Sequence, residues 1–168
     1  MIEKIFLLTI SGENKPGMCT QITSVLANND AEILDIGQAV IHDTLSLGLL
    51  IGISENRDVT KLVSTIEQAL KHCDIRIKTV EISEQDYSHW VAGRGKPKHV
   101  ITLIARTLSA RAIAEVSRVL ANYGLDIYHV TRLTGRIPVD KIPEQTQACV
   151  EFIARGEVDS VMSLRTEL

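Results

Sequence analysis

The chain has 168 residues, of which 45% are hydrophobic and only 4% are aromatic, so it can build one large or two small aliphatic cores. A net charge of −3 and a pI of about 5.9 argue against proteins that bind nucleic acids or membrane surfaces through basic patches. The longest apolar stretch, residues 45–53, is about half as long as a membrane span, and the N-terminal residues do not resemble a signal peptide. Three widely spaced cysteines, Cys19, Cys73 and Cys149, fit reduced thiols, so we expect a cytoplasmic protein.

In the first 83 residues, apolar positions alternate or recur at helical spacing, and these patterns predict six elements. The predicted elements are a strand at 5–10, a helix at 16–28, strands at 31–41 and 45–53, a helix at 58–72 and a strand at 74–82. We expect the second strand to be bulged near Gly37. This β-α-β-β-α-β order predicts an α+β, ferredoxin-like unit, in which an antiparallel sheet carries both helices on one face.

The regular pattern stops at residues 84–98, which are polar and contain two glycines and a proline. This composition predicts a linker between a first domain at 1–83 and a second domain at 99–168. We expect Tyr87 and Trp90 to pack the linker against a domain.

The pattern then restarts and predicts a second, incomplete unit. Its predicted elements are a strand at 100–105, a helix at 109–123 that ends at Gly124, a strand at 125–133, a long loop at 135–145, a strand at 146–154 and the start of a helix at 159–168. The last strand of the unit is missing. We therefore expect either a fragment of a longer protein or a second chain that supplies the strand.

The two units also share sequence letters. The tetrapeptide at 25–28, Val-Leu-Ala-Asn, recurs at 119–122, an offset of 94 positions. The same offset aligns Ile33 with Ile127 without a gap, so the strand–helix–strand register is kept and an internal repeat is predicted.

The loop between the first strand and the first helix is the candidate binding site. Pro16 and Gly17 suit a turn that exposes backbone N–H groups at a helix N-terminus, where an anion or a carboxylate can bind. We expect the N–H groups of Gly17 and Met18 to meet the carboxylate of a free amino acid.

The ammonium group of the same amino acid needs an acceptor. Glu32, Asp35 and the side-chain oxygen of Asn14 are the candidates. Each also has an ordinary structural interpretation, since the two acids could be solvated surface charges and Asn14 could bond its own backbone in a turn.

A βαββαβ unit with Asn14-Lys15-Pro16-Gly17 after its first strand resembles an ACT domain, a small regulatory module that binds small molecules, and two tandem units cover nearly the whole chain. The segment from Glu13 to Gly17 is similar to the loop of the serine-binding ACT domain of phosphoglycerate dehydrogenases. The resemblance implies a ligand held by this loop and by the start of the next strand, at an interface between two ACT units. The family's histidine before the loop is replaced by Gly12, and its asparagine on the second strand is replaced by Glu32.

The two-unit layout, with Arg-Thr-Leu-Ser-Ala-Arg-Ala at 106–112 and Ala-Arg-Gly-Glu-Val-Asp at 154–159, resembles the N-terminal region of long bacterial phosphoserine phosphatases, which perform the last step of serine biosynthesis. The resemblance implies a regulatory region that binds serine and is followed in cis by a magnesium-dependent catalytic domain of the haloacid dehalogenase type. The nucleophile motif of that domain, Asp-x-Asp-x-Thr, is absent from this sequence. We therefore expect no catalytic residue, metal or cofactor in this chain.

The offset of 94 places Ala110 and Arg111 where the first unit has Pro16 and Gly17. We therefore expect a ligand in the first unit only, with the second unit as its partner surface, and we expect a homodimer.

Three other functions remain to be weighed. A stand-alone tandem ACT regulator, such as those that control glycine cleavage, would act through protein contacts. A ferredoxin-like RNA-binding domain would need aromatic and basic residues on its sheet, which this composition does not supply. A small enzyme has no support, because no Cys/His pair has zinc-ligand spacing and Gly93-Arg94-Gly95-Lys96 lacks the frame of a phosphate loop.

Overall fold

A computed structural model describes residues 2–135 and 147–168, and the chain forms two compact units, Met1–His89 and Trp90–Leu168. The boundary between the units falls within the segment predicted as a linker. The long loop predicted at 135–145 lies outside the described residues, apart from its first position.

Unit 1 has the predicted order of elements. They are β1 (Lys4–Glu13), α1 (Met18–Asn28), β2 (Glu32–Ile41), β3 (Thr44–Ile53), α2 (Val59–Ala69) and β4 (Ile75–Ile82). The sheet has the order β2-β3-β1-β4, and all neighbouring strands are antiparallel. This arrangement confirms the predicted ferredoxin-like fold.

The core of unit 1 lies between one face of the sheet and both helices. Leu8 of β1 and Leu49 of β3 are paired in register and are fully buried. The helices contribute side chains at spacings of about one turn: Met18, Ile22 and Leu26 from α1, and Leu62 and Ile66 from α2. Burial of each such side chain stabilises the fold by about 1.5–3 kcal/mol, so this aliphatic cluster holds the layers together.

The bulge in β2 does not lie near Gly37, where we predicted it. The register with β3 shifts between Ile33 and Asp35, whereas Gly37 stays in register opposite Gly48. Unit 2 has the same irregularity between Ile127 and His129. The two register shifts are 94 positions apart, which is the offset of the sequence repeat, so the two units share this backbone irregularity as well.

Residues 84–98 are not a simple linker, because most of them form a helix. The remaining elements are α3 (Glu84–Gly93), β5 (Lys98–Ala105), α4 (Ala110–Asn122), β6 (Asp126–Arg132), β7 (Ala148–Arg155) and α5 (Val161–Glu167). No residue of α3 is buried. Ser83 Oγ accepts from the Asp86 N–H at 3.0 Å, and Glu84 and Asp86 complement the positive N-terminal end of the helix. Tyr87 and Trp90 are half-buried.

Unit 2 contains a three-stranded antiparallel sheet of order β5-β7-β6. Alternate residues of β7 face the helices, and Phe152 and Leu120 of α4 are fully buried at the centre. Leu164 of α5 joins the same cluster. Among the helices of the described residues, none is long and apolar enough to span a membrane.

Candidate functional site

The loop between β1 and α1 is anchored to two neighbouring turns at one end of the sheet. The Asn14 N–H donates to the carbonyl of Asp43 in the β2–β3 turn at 2.8 Å. Lys15 Nζ donates to the carbonyl of His72, beyond α2, at 3.2 Å and forms an ion pair with Glu13 Oε2 at 2.9 Å. The loop is therefore held from both sides, and its backbone does not depend on α1 alone for its conformation.

The ammonium group of Lys15 is a fixed positive charge at this loop. The hydrogen bond to Glu13 and the charge of Glu13 raise the pKa of Lys15, while partial desolvation opposes the shift. Lys15 thus stays protonated at neutral pH.

Gly17 supplies the sharp turn into α1. Its φ of +86° is in the left-handed region, which favours glycine, and a Cβ at this position would meet only Gln21 Nε2, at 4.0 Å. Gly17 is exposed. A small molecule can therefore approach the backbone at this point.

The Met18 amide, which we predicted to face a ligand, is already engaged. Its N–H donates to the carbonyl of Lys15 at 3.3 Å, and the Lys15 N–H is directed at Met18 Sδ at 3.2 Å. The side chain of Met18 is buried in the core. The physical reason is that the loop closes a tight turn over Pro16, which uses the first helical N–H internally.

The N-terminal end of α1 nevertheless lacks a cap. Within the described residues, no side chain accepts a hydrogen bond at the N-cap, Gly17, and the first turn has no acidic residue. In unit 2, Ser109 Oγ accepts from the Ala112 N–H at 3.2 Å and caps α4. The partial positive charge of the helix end is therefore open to an anion in unit 1 and is satisfied by the chain itself in unit 2.

Glu32 and Asp35 are not brought to the loop. Glu32 pairs with Gly52, which in turn pairs with Ile5, eight positions before the end of β1 at Glu13. At ~3.3 Å per residue, Glu32 lies roughly 26 Å along the strand direction from the loop. One copy of unit 1 therefore cannot place either acid on a ligand at Gly17.

A feature that we did not predict fixes the end of β1 beside the loop. Gly12 has a φ of +154°, and a Cβ at this position would lie 2.0 Å from Asp74 O and 2.8 Å from Ile75 Cα. The Glu13 N–H donates to Asp74 O at 3.1 Å. Since the backbones of β1 and β4 approach this closely, a histidine cannot replace Gly12 without moving them. The glycine itself is the only signal of this contact in the sequence.

Other chemistry is sparse in the described part of the chain. No group of three His, Cys, Asp or Glu side chains there could hold a metal ion. The described cysteines are all free thiols, with Cys19 exposed and Cys73 buried.

The loop and the fold around it agree with one family. The ACT domain model matches residues 4–80, from the start of β1 to a point two residues before the end of β4. The UPF0237 protein MMP0657 of Methanococcus maripaludis is 30% identical over 84 residues, which are 49% of this chain and 93% of that protein. Unit 1 belongs to the ACT domain family.

A second relative aligns with parts of both units. Phosphoserine phosphatase SerB2 of Mycobacterium tuberculosis is 29% identical over 142 residues, which cover 79% of this chain. The chain spans only 34% of the length of that phosphatase.

Solved structures show that the two-unit fold occurs elsewhere. A protein of unknown function from Galdieria sulphuraria superposes with a TM-score of 0.75 at 17% identity, covering 98% of this chain and 88% of that one. A candidate glycine cleavage system transcriptional repressor gives a TM-score of 0.65 at 16% identity, covering 98% and 87%. At these identities the likeness concerns the fold alone.

Proposed function

We propose that unit 1 is an amino-acid-sensing regulatory unit, with serine as the first ligand to test. The observation that carries this proposal is the uncapped N-terminal end of α1 behind an exposed, left-handed Gly17. The carboxylate of a free amino acid would accept hydrogen bonds from the open N–H groups of the loop and first turn.

The ammonium group of the ligand would find its acceptor on a second copy of the chain. β2 is one of the two outer strands of the sheet, and its Ile36 and Val40 are 49% and 39% exposed. In an antiparallel pairing of two β2 strands about Gln38, Ile36 of one copy lies opposite Val40 of the other, and Asp35 lies opposite Ile41.

This pairing would remove the separation along the strands that keeps Glu32 and Asp35 away from the loop in a single copy. Ile41 and the end of β1 both pair with Thr44, so they lie at the same level of the sheet. The start of the second copy's β2, with Glu32 and Asp35, then lies at the level of the loop. Ligand bound there would favour one packing of the two units, which is how a sensor shifts a population of conformations.

We further propose that the regulated protein is a phosphoserine phosphatase. The alignment with the mycobacterial phosphatase over both units supports this assignment. In such a protein the magnesium-dependent catalytic domain would lie outside these 168 residues, and the amino acid sensed would be the product of the pathway.

A stand-alone regulator is the second candidate. It is supported by the Methanococcus protein, 93% of whose length is aligned with this chain. The two candidates differ in the size of the native protein. An immunoblot of native extract with a band near 18.5 kDa would favour the regulator. A larger band that carries phosphoserine phosphatase activity after immunoprecipitation would favour the phosphatase.

Calorimetric titration with serine, glycine and the other amino acids tests the site itself. Gly17→Val puts a branched side chain over the open N–H groups, and we expect it to weaken binding at least ~10-fold. Gly124→Val is the matched control, since Gly124 in unit 2 also has a positive φ, +69°, and has no atom within 4 Å of a built Cβ. Serine affinity that survives Gly17→Val, or falls equally in both variants, would refute the proposed site.

A further inference from the structure

An open cavity lies at the end of unit 1 that is opposite to the loop at Gly17. It has a volume of about 230 Å³, and it lies between the end of α1 and the start of α2. Its lining residues are Asn29, Ile53, Asn56, Arg57, Asp58, Lys61 and Leu62. Ile53 pairs with Lys4 and the loop follows Glu13, so the cavity and the loop are roughly 30 Å apart along β1. A small molecule in this cavity therefore does not contact the loop.

The size and the lining of the cavity fit a small metabolite. A cavity of about 150 Å³ is large enough to hold benzene, and this one is larger. Ile53 and Leu62 are buried and form its apolar wall. The other lining side chains are amides or charged groups. An apolar wall with a few polar groups is the usual composition of a small-molecule site.

The two amides in the lining offer opposite hydrogen-bonding groups. Asn56 Oδ1 accepts from Ser54 Oγ at 2.7 Å, which leaves the Nδ2 group of Asn56 as a donor. Asn29 Nδ2 donates to the carbonyl of Val25 at 2.8 Å, which leaves the Oδ1 atom of Asn29 as an acceptor. A ligand with one acceptor group and one donor group matches this pair.

Two cations line the cavity, and neither has a strong partner. Across residues 2–135 and 147–168, no hydrogen bond or close ion pair engages the ammonium group of Lys61. Arg57 forms an ion pair with Asp30, but the two side chains are 42% and 80% exposed. Because water screens a pair this exposed, the guanidinium can exchange Asp30 for an anion inside the cavity.

The carboxylate of Asp58 is the one negative side chain among the lining residues named above, and it is already in use. It accepts from the Thr60 N–H at 2.8 Å and caps α2. The positive N-terminal end of that helix offsets its charge. Lys61 and Arg57 therefore dominate the charge that a ligand meets.

We propose that this cavity is a second small-molecule site of unit 1, for a short hydroxylated carbon chain that carries one carboxylate or phosphate group. The oxyanion accepts from Lys61, from the remaining N–H groups of Arg57 and from Asn56 Nδ2. A hydroxyl group of the chain donates to Asn29 Oδ1, and the carbon atoms lie against the apolar wall.

Three probes with one carbon skeleton test the ligand class in calorimetric titrations of the whole chain. They are glycerol 3-phosphate, glycerate and uncharged glycerol. We expect at least one of the two anions to bind, and glycerol to bind at least ~10-fold more weakly than that anion. The anion that binds more tightly shows whether the site takes phosphates or carboxylates. Equal binding of all three probes, or no binding of either anion, would overturn the proposal.

Two substitutions at the cavity should change the affinity in opposite directions. Lys61→Gln removes an unpaired cation and should weaken binding of the anion at least ~10-fold. Asp30→Asn removes the carboxylate that competes for Arg57 and should tighten binding ~3-fold or more. Asparagine is compatible with the backbone here, because Asp30 has a φ of +53° and asparagine tolerates the left-handed region.

Lys71→Gln is the matched control for the loss of one positive charge. Lys71 is also exposed, and it follows the far end of α2, ten residues beyond Lys61. We expect this variant to bind the anion like the original chain. An equal loss of affinity in Lys61→Gln and Lys71→Gln, or an affinity unchanged in both Lys61→Gln and Asp30→Asn, would overturn the proposal, provided that circular dichroism shows the variants to be folded.

Gly17→Val separates this site from the amino-acid site of the proposed function. We expect it to leave the affinity for the anion unchanged, whether or not unit 1 also binds serine. In two-dimensional NMR spectra, the anion should shift the side-chain amide signals of Asn29 and Asn56. Binding that Gly17→Val abolishes, or shifts confined to the loop around Gly17, would place the anion at the loop and overturn the proposal.

Discussion

The contact at Gly12 makes a prediction about stability that can be worked from distances. In Gly12→Ala the new methyl group would lie 2.0 Å from Asp74 O and 2.8 Å from Ile75 Cα. Both neighbours are backbone atoms in the β1–β4 ladder, so they cannot rotate away. Relief requires the end of β1 to move by more than ~1 Å, which is overpacking of the kind that costs about 1–3 kcal/mol.

That movement also breaks backbone pairing. The Glu13 N–H bond to Asp74 O, 3.1 Å long, and the pairing of Gly12 with Ile75 lie at the point of contact. Each lost bond costs about 1 kcal/mol, so the total for Gly12→Ala is about 3 kcal/mol. With a urea m-value near 1.5 kcal/mol/M, the midpoint of unit 1 should fall by about 2 M.

The chain contains its own internal reference for this measurement. Trp90 is the only tryptophan of the sequence and belongs to unit 2, so its fluorescence follows unit 2 while far-UV circular dichroism follows both units. We expect the dichroism transition of unit 1 to shift and the fluorescence midpoint to stay. Gly17→Ala is the control, because it has positive φ without a clash and should cost only about 1 kcal/mol. A loss of stability in Gly12→Ala no larger than in Gly17→Ala would refute the steric argument.

Two predictions concern the helix caps. Asp58 accepts from the Thr60 N–H at 2.8 Å, and this bond lowers the pKa of Asp58. Because the folded pKa is below the unfolded value of ~3.9, the cap stabilises unit 1 above that pH and its contribution is lost as pH falls through the folded pKa. The urea midpoint of Asp58→Ala should therefore lie below that of the original chain at neutral pH, and the two midpoints should converge in acid. Asp58→Asn caps the helix without titrating, so its midpoint should not show this pH dependence. A difference between Asp58→Ala and the original chain that stays constant with pH would contradict the assignment. Ser109→Ala removes the acceptor of the Ala112 N–H and should destabilise unit 2 by about 1 kcal/mol in the fluorescence-detected transition. Ser109→Asp should retain the cap. An unchanged midpoint in Ser109→Ala would show that the cap contributes nothing.

The fold was predictable where buried side chains repeat with a clear period. Alternate residues of β1 from Phe6 to Ile10 are buried, and Leu62 and Ile66 of α2 lie one turn apart, so each pattern identifies its element. The helix α3 has no buried residue and therefore no apolar period. Its signals are local, the cap at Ser83 and the acidic first turn, and these are also common in loops.

The candidate site was predictable only in part. The letters around Gly17 indicate a turn into a helix, and the backbone has that turn. The use of the Met18 N–H inside the loop depends on the exact closure of the turn, which composition does not determine. The distance of Glu32 from the loop follows from topology alone, because β1 and β2 run in the same direction and the start of one therefore lies far from the end of the other.

The position of β1 in its sheet has a consequence for folding during translation. β1 emerges before both of its neighbours, and Leu8 meets Thr79, roughly 70 residues further along the chain. Until β4 has left the exit tunnel, the apolar residues of β1 have no complete partner and are exposed to chaperones or to other nascent chains. Unit 1 is therefore expected to acquire its structure late and in a single step, and a pause in translation before β4 would lengthen the period in which it can aggregate.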